Sequence, residues 1–243
     1  MTQKNRIWEL DALRGICILG MLVFHLLYDI TDLFYLLPWQ LPRWATLIAE
    51  AGANVFLLLS GLCVTLGSHP IRRGLTVFGC GMVCTIVTWL LARLGLSDSS
   101  MVIRFGMLHC LGISMLLWTV FRKLPVWALA CVGVVILIVG GYIDTTDLSV
   151  SARWLFPLGL TYPGFASGDY YPILPYFGWF LLGAVAGRTL YKAKQTLFPR
   201  IDPTFPPIAF ARFCGRHSLA IYLAHQPLFI GILTLLTQKD GSL

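Results

Sequence analysis

Seven long apolar stretches alternate with short polar, Pro-bearing or Arg-bearing breaks, and each stretch is long enough to cross a bilayer as a helix. The helices are expected at about 11–33, 48–67, 74–95, 103–121, 126–143, 173–191 and 217–237. The breaks differ in chemistry. Leu36–Trp44 is rich in Pro and Trp and suits a membrane interface. Arg72-Arg73 and Arg122-Lys123 punctuate neighbouring spans, 144–172 is the longest connection between the two halves, and 188–216 reads as a basic, Pro-containing loop. The pattern predicts an all-α polytopic membrane bundle of about seven transmembrane helices in one domain.

The first helix carries an unusual polar stripe. Asp11 and Arg14 stand three residues apart and His25 and Asp29 four apart, so each pair meets on the helix surface. At about 100° per residue, positions 11, 14, 18, 22, 25 and 29 share one face, and the rest of the helix is apolar. Arg14 and His25 are separated by about 16 Å along the axis at ~1.5 Å per residue. Ionisable groups inside a membrane are costly and mark function by default. The same stripe also suits a packing helix whose polar groups merely pair with neighbours.

Composition supports a membrane chain. Of 243 residues, 57% are hydrophobic and 12% charged, against roughly 25% charged in soluble domains, and mean hydropathy is +0.77. The net charge of +7 is read as topology, not nucleic-acid binding. With the N-terminus in the cytoplasm and seven spans, thirteen of the eighteen Lys and Arg fall inside and eight of the eleven acids outside, which obeys the positive-inside rule. No GxGxxG, P-loop or paired CxxC is present. The seven Cys lie mostly within apolar spans and read as buried free thiols. No small-residue cleavage site follows the first apolar run, so an uncleaved anchor is expected.

Three histidines, His25, His109 and His225, fall on three different helices at middle-to-outer depth, with Asp29 beside the first and Asp169 just before the sixth helix. A His next to a carboxylate has a defined tautomer and a stronger base on its other nitrogen, as a general base requires. Each His alone also fits an interhelical hydrogen bond. No metal-ligand spacing such as HExxH appears, so no metal is expected. On the cytoplasmic side, Arg14 and the basic loop with Arg216 form an anion surface, suited to a phosphorylated donor or to lipid headgroups. Arg216 and His217 are expected to open the last helix, where backbone N–H groups can help hold an anion. Gly183-Ala-Val-Ala-Gly187 is a small-xxx-small face for an internal contact or for a homo-oligomer.

Leu10-Asp-Ala-Leu-Arg-Gly-Ile, running through to His25, resembles the opening of membrane acyltransferases. Asp169-Tyr-Tyr-Pro-Ile-Leu-Pro-Tyr-Phe-Gly-Trp-Phe-Leu-Leu-Gly183 and Gly215-Arg-His-Ser-Leu-Ala-Ile-Tyr-Leu-Ala-His-Gln-Pro227 are more specific. Together they resemble bacterial relatives of heparan-α-glucosaminide N-acetyltransferase, in its catalytic-domain family, over about 6–236. The resemblance implies transfer of an acetyl group from cytosolic acetyl-CoA across a membrane to a sugar amine or hydroxyl, a multi-pass protein of the bacterial inner membrane, and a single acyltransferase-like domain over 1–243. The lysosomal enzyme of the family places a functional histidine shortly after its first catalytic-domain helix. No histidine stands between Tyr28 and Gly67 here, and His25 is nominated in its place on geometry.

The resulting expectation is an acetyl-CoA-dependent membrane acetyltransferase. Arg14 and Arg216 engage the donor, His25 oriented by Asp29 deprotonates the acceptor, and His109, His225 and Asp169 position the acceptor or stabilise the oxyanion. Its partners are acetyl-CoA, a glycan or amino-sugar acceptor and the lipid bilayer, with no nucleic acid. The alternative is a proton-coupled transporter using the same intramembrane His and Asp groups, although no inverted repeat is visible.

Overall fold

A computed structural model describes residues 6–146 and 148–239; Lys4, Asp147 and Asp240, which enter the charge count, lie outside the described residues. Eight α-helices follow one another among the described residues: α1 Trp8–Tyr28, α2 Arg43–Leu66, α3 Pro70–Arg93, α4 Met107–Phe121, α5 Val126–Thr146, α6 Ile173–Leu190, α7 Pro206–Arg216 and α8 Ser218–Lys239. Among the described residues there are two isolated β-bridges and no strand. Among the described residues six helices are long and apolar enough to cross a membrane. The fourth expected span, α4, has 15 residues, or about 22 Å at 1.5 Å per residue, short of a hydrocarbon core of about 30 Å.

Contacts divide the chain into two compact units, one drawn from the chain up to Phe56 and from Lys194 onward, the other from Leu57–Ala193. The boundary falls within α2. In the first unit α1 packs on α7 and α8. Between apolar helices in lipid, close backbone approach and dispersion do the work that the hydrophobic effect does in water, and small residues permit it. Gly15 of α1 and Gly215 of α7 provide that approach: a Cβ at Gly15 would lie 1.8 Å from the Ala211 carbonyl oxygen, and one at Gly215 1.8 Å from the Asp11 carbonyl oxygen.

Helix α7 corrects the expected loop over 188–216. Pro206 and Pro207 start the helix rather than break it, since the first turn has no use for their missing N–H groups. Ala211, Cys214 and Gly215, at i, i+3 and i+4, form its buried face. Arg216 therefore closes α7 instead of opening the last helix, and His217 is the joint to α8.

In the second unit α3 pairs with α4, and α5 with α6. The small face on α6 makes an internal contact: a Cβ at Gly183 would sit 1.9 Å from the Leu58 carbonyl oxygen, and Gly187 lies against Leu62 and Thr65 of α2. Residues 103–106, expected as helix, are not helical. They run beside 167–171, with Gly168 N–H donating to Val102 O at 3.3 Å and Tyr171 N–H to Phe105 O at 2.9 Å. Tyr170 O–H closes this loop by donating to Phe156 O at 2.6 Å. Burial, with Asp144 and Tyr176 adding to it, pushes the Tyr170 phenol up to about 12, so it stays a donor.

Candidate active site

The polar stripe of α1 divides into two ends in the first unit. At one end Glu9 and Asp11 occupy the first turn, where carboxylates favour the helix dipole. Glu9 is buried and accepts from Thr196 Oγ1 at 2.9 Å and Leu197 N–H at 2.8 Å, which pins the chain ahead of α7. Asp11 is 7% exposed. Three guanidinium groups surround it: Arg216 at 3.5 Å, Arg14 at 3.6 Å and Arg6 at 3.9 Å. One carboxylate facing three cations leaves the cluster positive by two charges. The Gly15–Gly215 approach is what brings Arg216 to Asp11, because Gly215 is its neighbour in sequence and Asp11 O is the atom it packs on.

At the other end α1 passes into a π-helical turn, Asp29–Leu33. Such turns add a residue to the helix and re-aim side chains, and they recur at functional sites. Asp29 is fully buried. Its two oxygens accept from Gln226 Nε2 on α8, at 2.9 and 3.2 Å. That bond fixes which way round the amide sits, and Gln226 Oε1 is buried with no hydrogen-bond partner among the described residues. The carboxylate expected to orient His25 is thus hydrogen-bonded to Gln226.

His25 instead meets His225. The ring centroids are 4.9 Å apart and the rings cross at 77°. His225 is 6% exposed. Its Nδ1 lies 2.5 Å from the Tyr222 carbonyl oxygen. A carbonyl only accepts, so Nδ1 carries the hydrogen, and in the neutral ring Nε2 holds the lone pair. Nε2 is buried and has no hydrogen-bond partner among the described residues. Phe24 stands edge-on to His25, and Phe229 edge-on to His225. Two buried acceptors, His225 Nε2 and Gln226 Oε1, therefore lie on adjacent residues in aromatic surroundings. They suit a group that brings N–H or O–H donors, and Nε2 can take one of those protons.

In the second unit His109 is 2% exposed and both its nitrogens are engaged. Gly106 N–H donates to Nδ1 at 3.1 Å, so Nε2–H points at Thr85 Oγ1, 3.2 Å away, and Thr85 O–H passes on to Ile103 O at 2.7 Å. Asp169 Oδ2 accepts from Met107 N–H at 3.0 Å and so caps the first turn of α4. Gly106 makes room for it, since a Cβ there would be 2.2 Å from Asp169 Oδ2. Asp169→Ala should cost about 1–2 kcal/mol, the usual loss for a helix cap, seen as a lower unfolding temperature in detergent. An unchanged transition would show that the cap contributes nothing.

Sequence reasoning nominated His25, Asp29, His225, Arg14 and Arg216, all in the first unit, and His109 and Asp169 in the second. It missed Gln226, although Gln226 stands in the His-Gln-Pro run beside His225, and it missed the part Gly15 and Gly215 play in joining α1 to α7. Among the described residues no group of three or more His, Cys, Asp or Glu is placed to hold a metal ion.

The family described as heparan-alpha-glucosaminide N-acetyltransferase, catalytic, matches residues 6–227. The matched region contains the Asp11–Gly15 opening, the Asp169–Gly183 stretch and the Gly215–Pro227 stretch. No curated protein and no solved structure matches the chain.

Proposed function

The chain belongs to the heparan-alpha-glucosaminide N-acetyltransferase catalytic family, and from that premise we propose that it moves an acetyl group from acetyl-CoA to the amine of an amino sugar across a membrane. The family points to a membrane acetyltransferase, and six apolar helices point to a multi-pass membrane protein. The observation that carries the finer reading is the open lone pair on His225 Nε2, held by the Tyr222 carbonyl.

In this reading the Asp11 cluster meets the donor's phosphates, with Arg14 and Arg216 as the contacting groups and Asp11 as their anchor. The donor's extended arm then runs along α1 for about 16 Å toward His25 and His225. The amine nitrogen attacks the thioester carbonyl carbon, and an N–H proton passes to His225 Nε2. The carbon–sulfur bond breaks, and the proton moves from His225 to the departing thiolate. His25 holds the His225 ring in place, and Asp29 acts through Gln226, whose Oε1 accepts a second donor of the substrate. His109 and Asp169 act by holding the loop that caps α4, not by touching the acceptor. Counted on seven spans, the bias of basic residues supports a cytoplasmic N-terminus. The donor would then enter from the cytoplasm of a bacterial inner membrane, and the acceptor would lie on the far side.

Acetyl-CoA binding to the purified protein tests the donor end. Arg14→Ala should weaken binding about tenfold or more, the loss of one charge-assisted contact. Equal affinity in the variant would remove Arg14 from the donor grip. A proton-coupled transporter is the second reading, because adjacent histidines beside a buried carboxylate can also relay protons. Flux driven by a pH gradient, without any acetyl donor, would favour it.

A further inference from the structure

In the second unit, where α3 begins and α4 ends, the surface holds a basin of about 660 Å³ lined by His69, Ile71, Arg72, Leu75, Thr119 and Arg122 among others. Nothing in the mechanism uses it. Three connections come together at this end. Arg188, at the end of α6, donates to the carbonyls of Arg122 and Leu124 beyond α4, and it stacks over Trp118 with 4.9 Å to the ring. The stretches 67–73, 122–125 and 188–193 carry Arg72, Arg73, Arg122, Lys123, Arg188 and Lys192, and not one Asp or Glu.

The donors facing the basin are largely cationic. The Thr119 and Thr76 hydroxyls are occupied by their own helices, donating to Leu116 O at 2.7 Å and Arg72 O at 2.9 Å. Among the described residues no carboxylate stands within ion-pair distance of the Arg72 or Arg122 guanidinium. Arginine in this state matches phosphate geometry, with paired N–H groups able to meet two oxygens. The rest of the lining is apolar. Ile71 and Leu75 are 55% and 57% exposed and open the apolar run of α3, a helix fit to cross the membrane. A soluble phosphate would satisfy the arginines and leave these side chains uncovered. A phosphate that carries acyl chains would cover both.

We propose that this basin holds the phosphate headgroup of an anionic glycerophospholipid, with Arg72 and Arg122 on the phosphate and an acyl chain along Ile71 and Leu75. The site shares no residue with the donor cluster on α1 and holds whether or not the chain transfers acetyl groups.

Native mass spectrometry of the full chain, released from vesicles of equal phosphatidylglycerol and phosphatidylcholine, tests the assignment. One phosphatidylglycerol should stay on the wild type in preference to phosphatidylcholine. The Arg72→Gln/Arg122→Gln double variant should retain it at least tenfold less, and Arg93→Gln, at the opposite end of α3, should retain it as the wild type does. Arg72→Lys/Arg122→Lys keeps the charges without the paired N–H geometry and should fall between. Unfolding temperatures of all variants separate lost binding from lost folding. Equal retention of both lipids, or retention indifferent to Arg72 and Arg122, would overturn the site and leave the arginines a topological role. Displacement of the lipid by inorganic phosphate or by acetyl-CoA would overturn the lipid assignment in favour of a soluble ligand.

Discussion

His225→Ala will lower acetyl transfer by about 10²–10⁴-fold, the range for loss of a positioned general base, while the protein still folds. The ring's hydrogen bond goes to the carbonyl of Tyr222, three residues back on its own helix, so its removal breaks no hydrogen bond between helices. What is lost is the lone pair at Nε2, which is buried and has no hydrogen-bond partner among the described residues. His225→Gln keeps bulk and polarity without imidazole basicity and should lose nearly as much. His25→Ala should cost less, because His25 acts through its ring contact with His225. A larger loss from His25→Ala than from His225→Ala would exchange the two roles. Gln226→Leu removes the donor to Asp29 and leaves a fully buried carboxylate without its partner, so it should reduce both folding yield and transfer.

Gly15→Val and Gly215→Val will each prevent recovery of folded protein, and Gly20→Val, on the same helix, will not. A Cβ at Gly15 or Gly215 would stand 1.8 Å from a backbone carbonyl oxygen, whereas nothing lies within 4 Å of one at Gly20. Overpacking costs about 1–3 kcal/mol when side chains can give way. Here the obstructing atoms are backbone, so whole helices must separate by more than about 1 Å to restore ordinary contact. That separation would also pull Arg216 from Asp11, which it faces at 3.5 Å. Yield after detergent extraction and size-exclusion profiles read the result. A monodisperse Gly15→Val protein of wild-type stability would show that α1 and α7 do not pack this way.

The spans were legible because apolar length is a local property, and the polar stripe of α1 was legible because helical period is one too. The segments that went astray depend on distant partners. Residues 103–106 continue an apolar run, but pairing with 167–171 keeps them out of α4. Helix α7 hid behind its two prolines, which look like breakers and serve as a start, and behind a buried face of small residues that carries little hydrophobic signal. The Asp29–Gln226 bond joins positions 197 residues apart. Spacing alone pairs Asp29 with His25, whereas both oxygens of its carboxylate accept from Gln226, a partner on a helix far away in sequence. His109 stood out as a lone polar ring in an apolar helix, and its partners are a glycine N–H and a threonine, residues that carry no sign of such a role in sequence. Gly183 and Gly187 left two uses open, and the contact with Leu58 and Leu62 shows an internal one.

Transfer of labelled acetyl from acetyl-CoA to glucosamine, by the purified chain in proteoliposomes, tests the central claim most directly. Labelled N-acetyl product matched one-to-one by free coenzyme A is expected, with a His225→Ala protein that folds, binds acetyl-CoA and makes at least about 10²-fold less product. Wild-type protein that is folded and binds acetyl-CoA, yet gives no product with amino-sugar acceptors, or a His225→Ala protein as active as wild type, would contradict it.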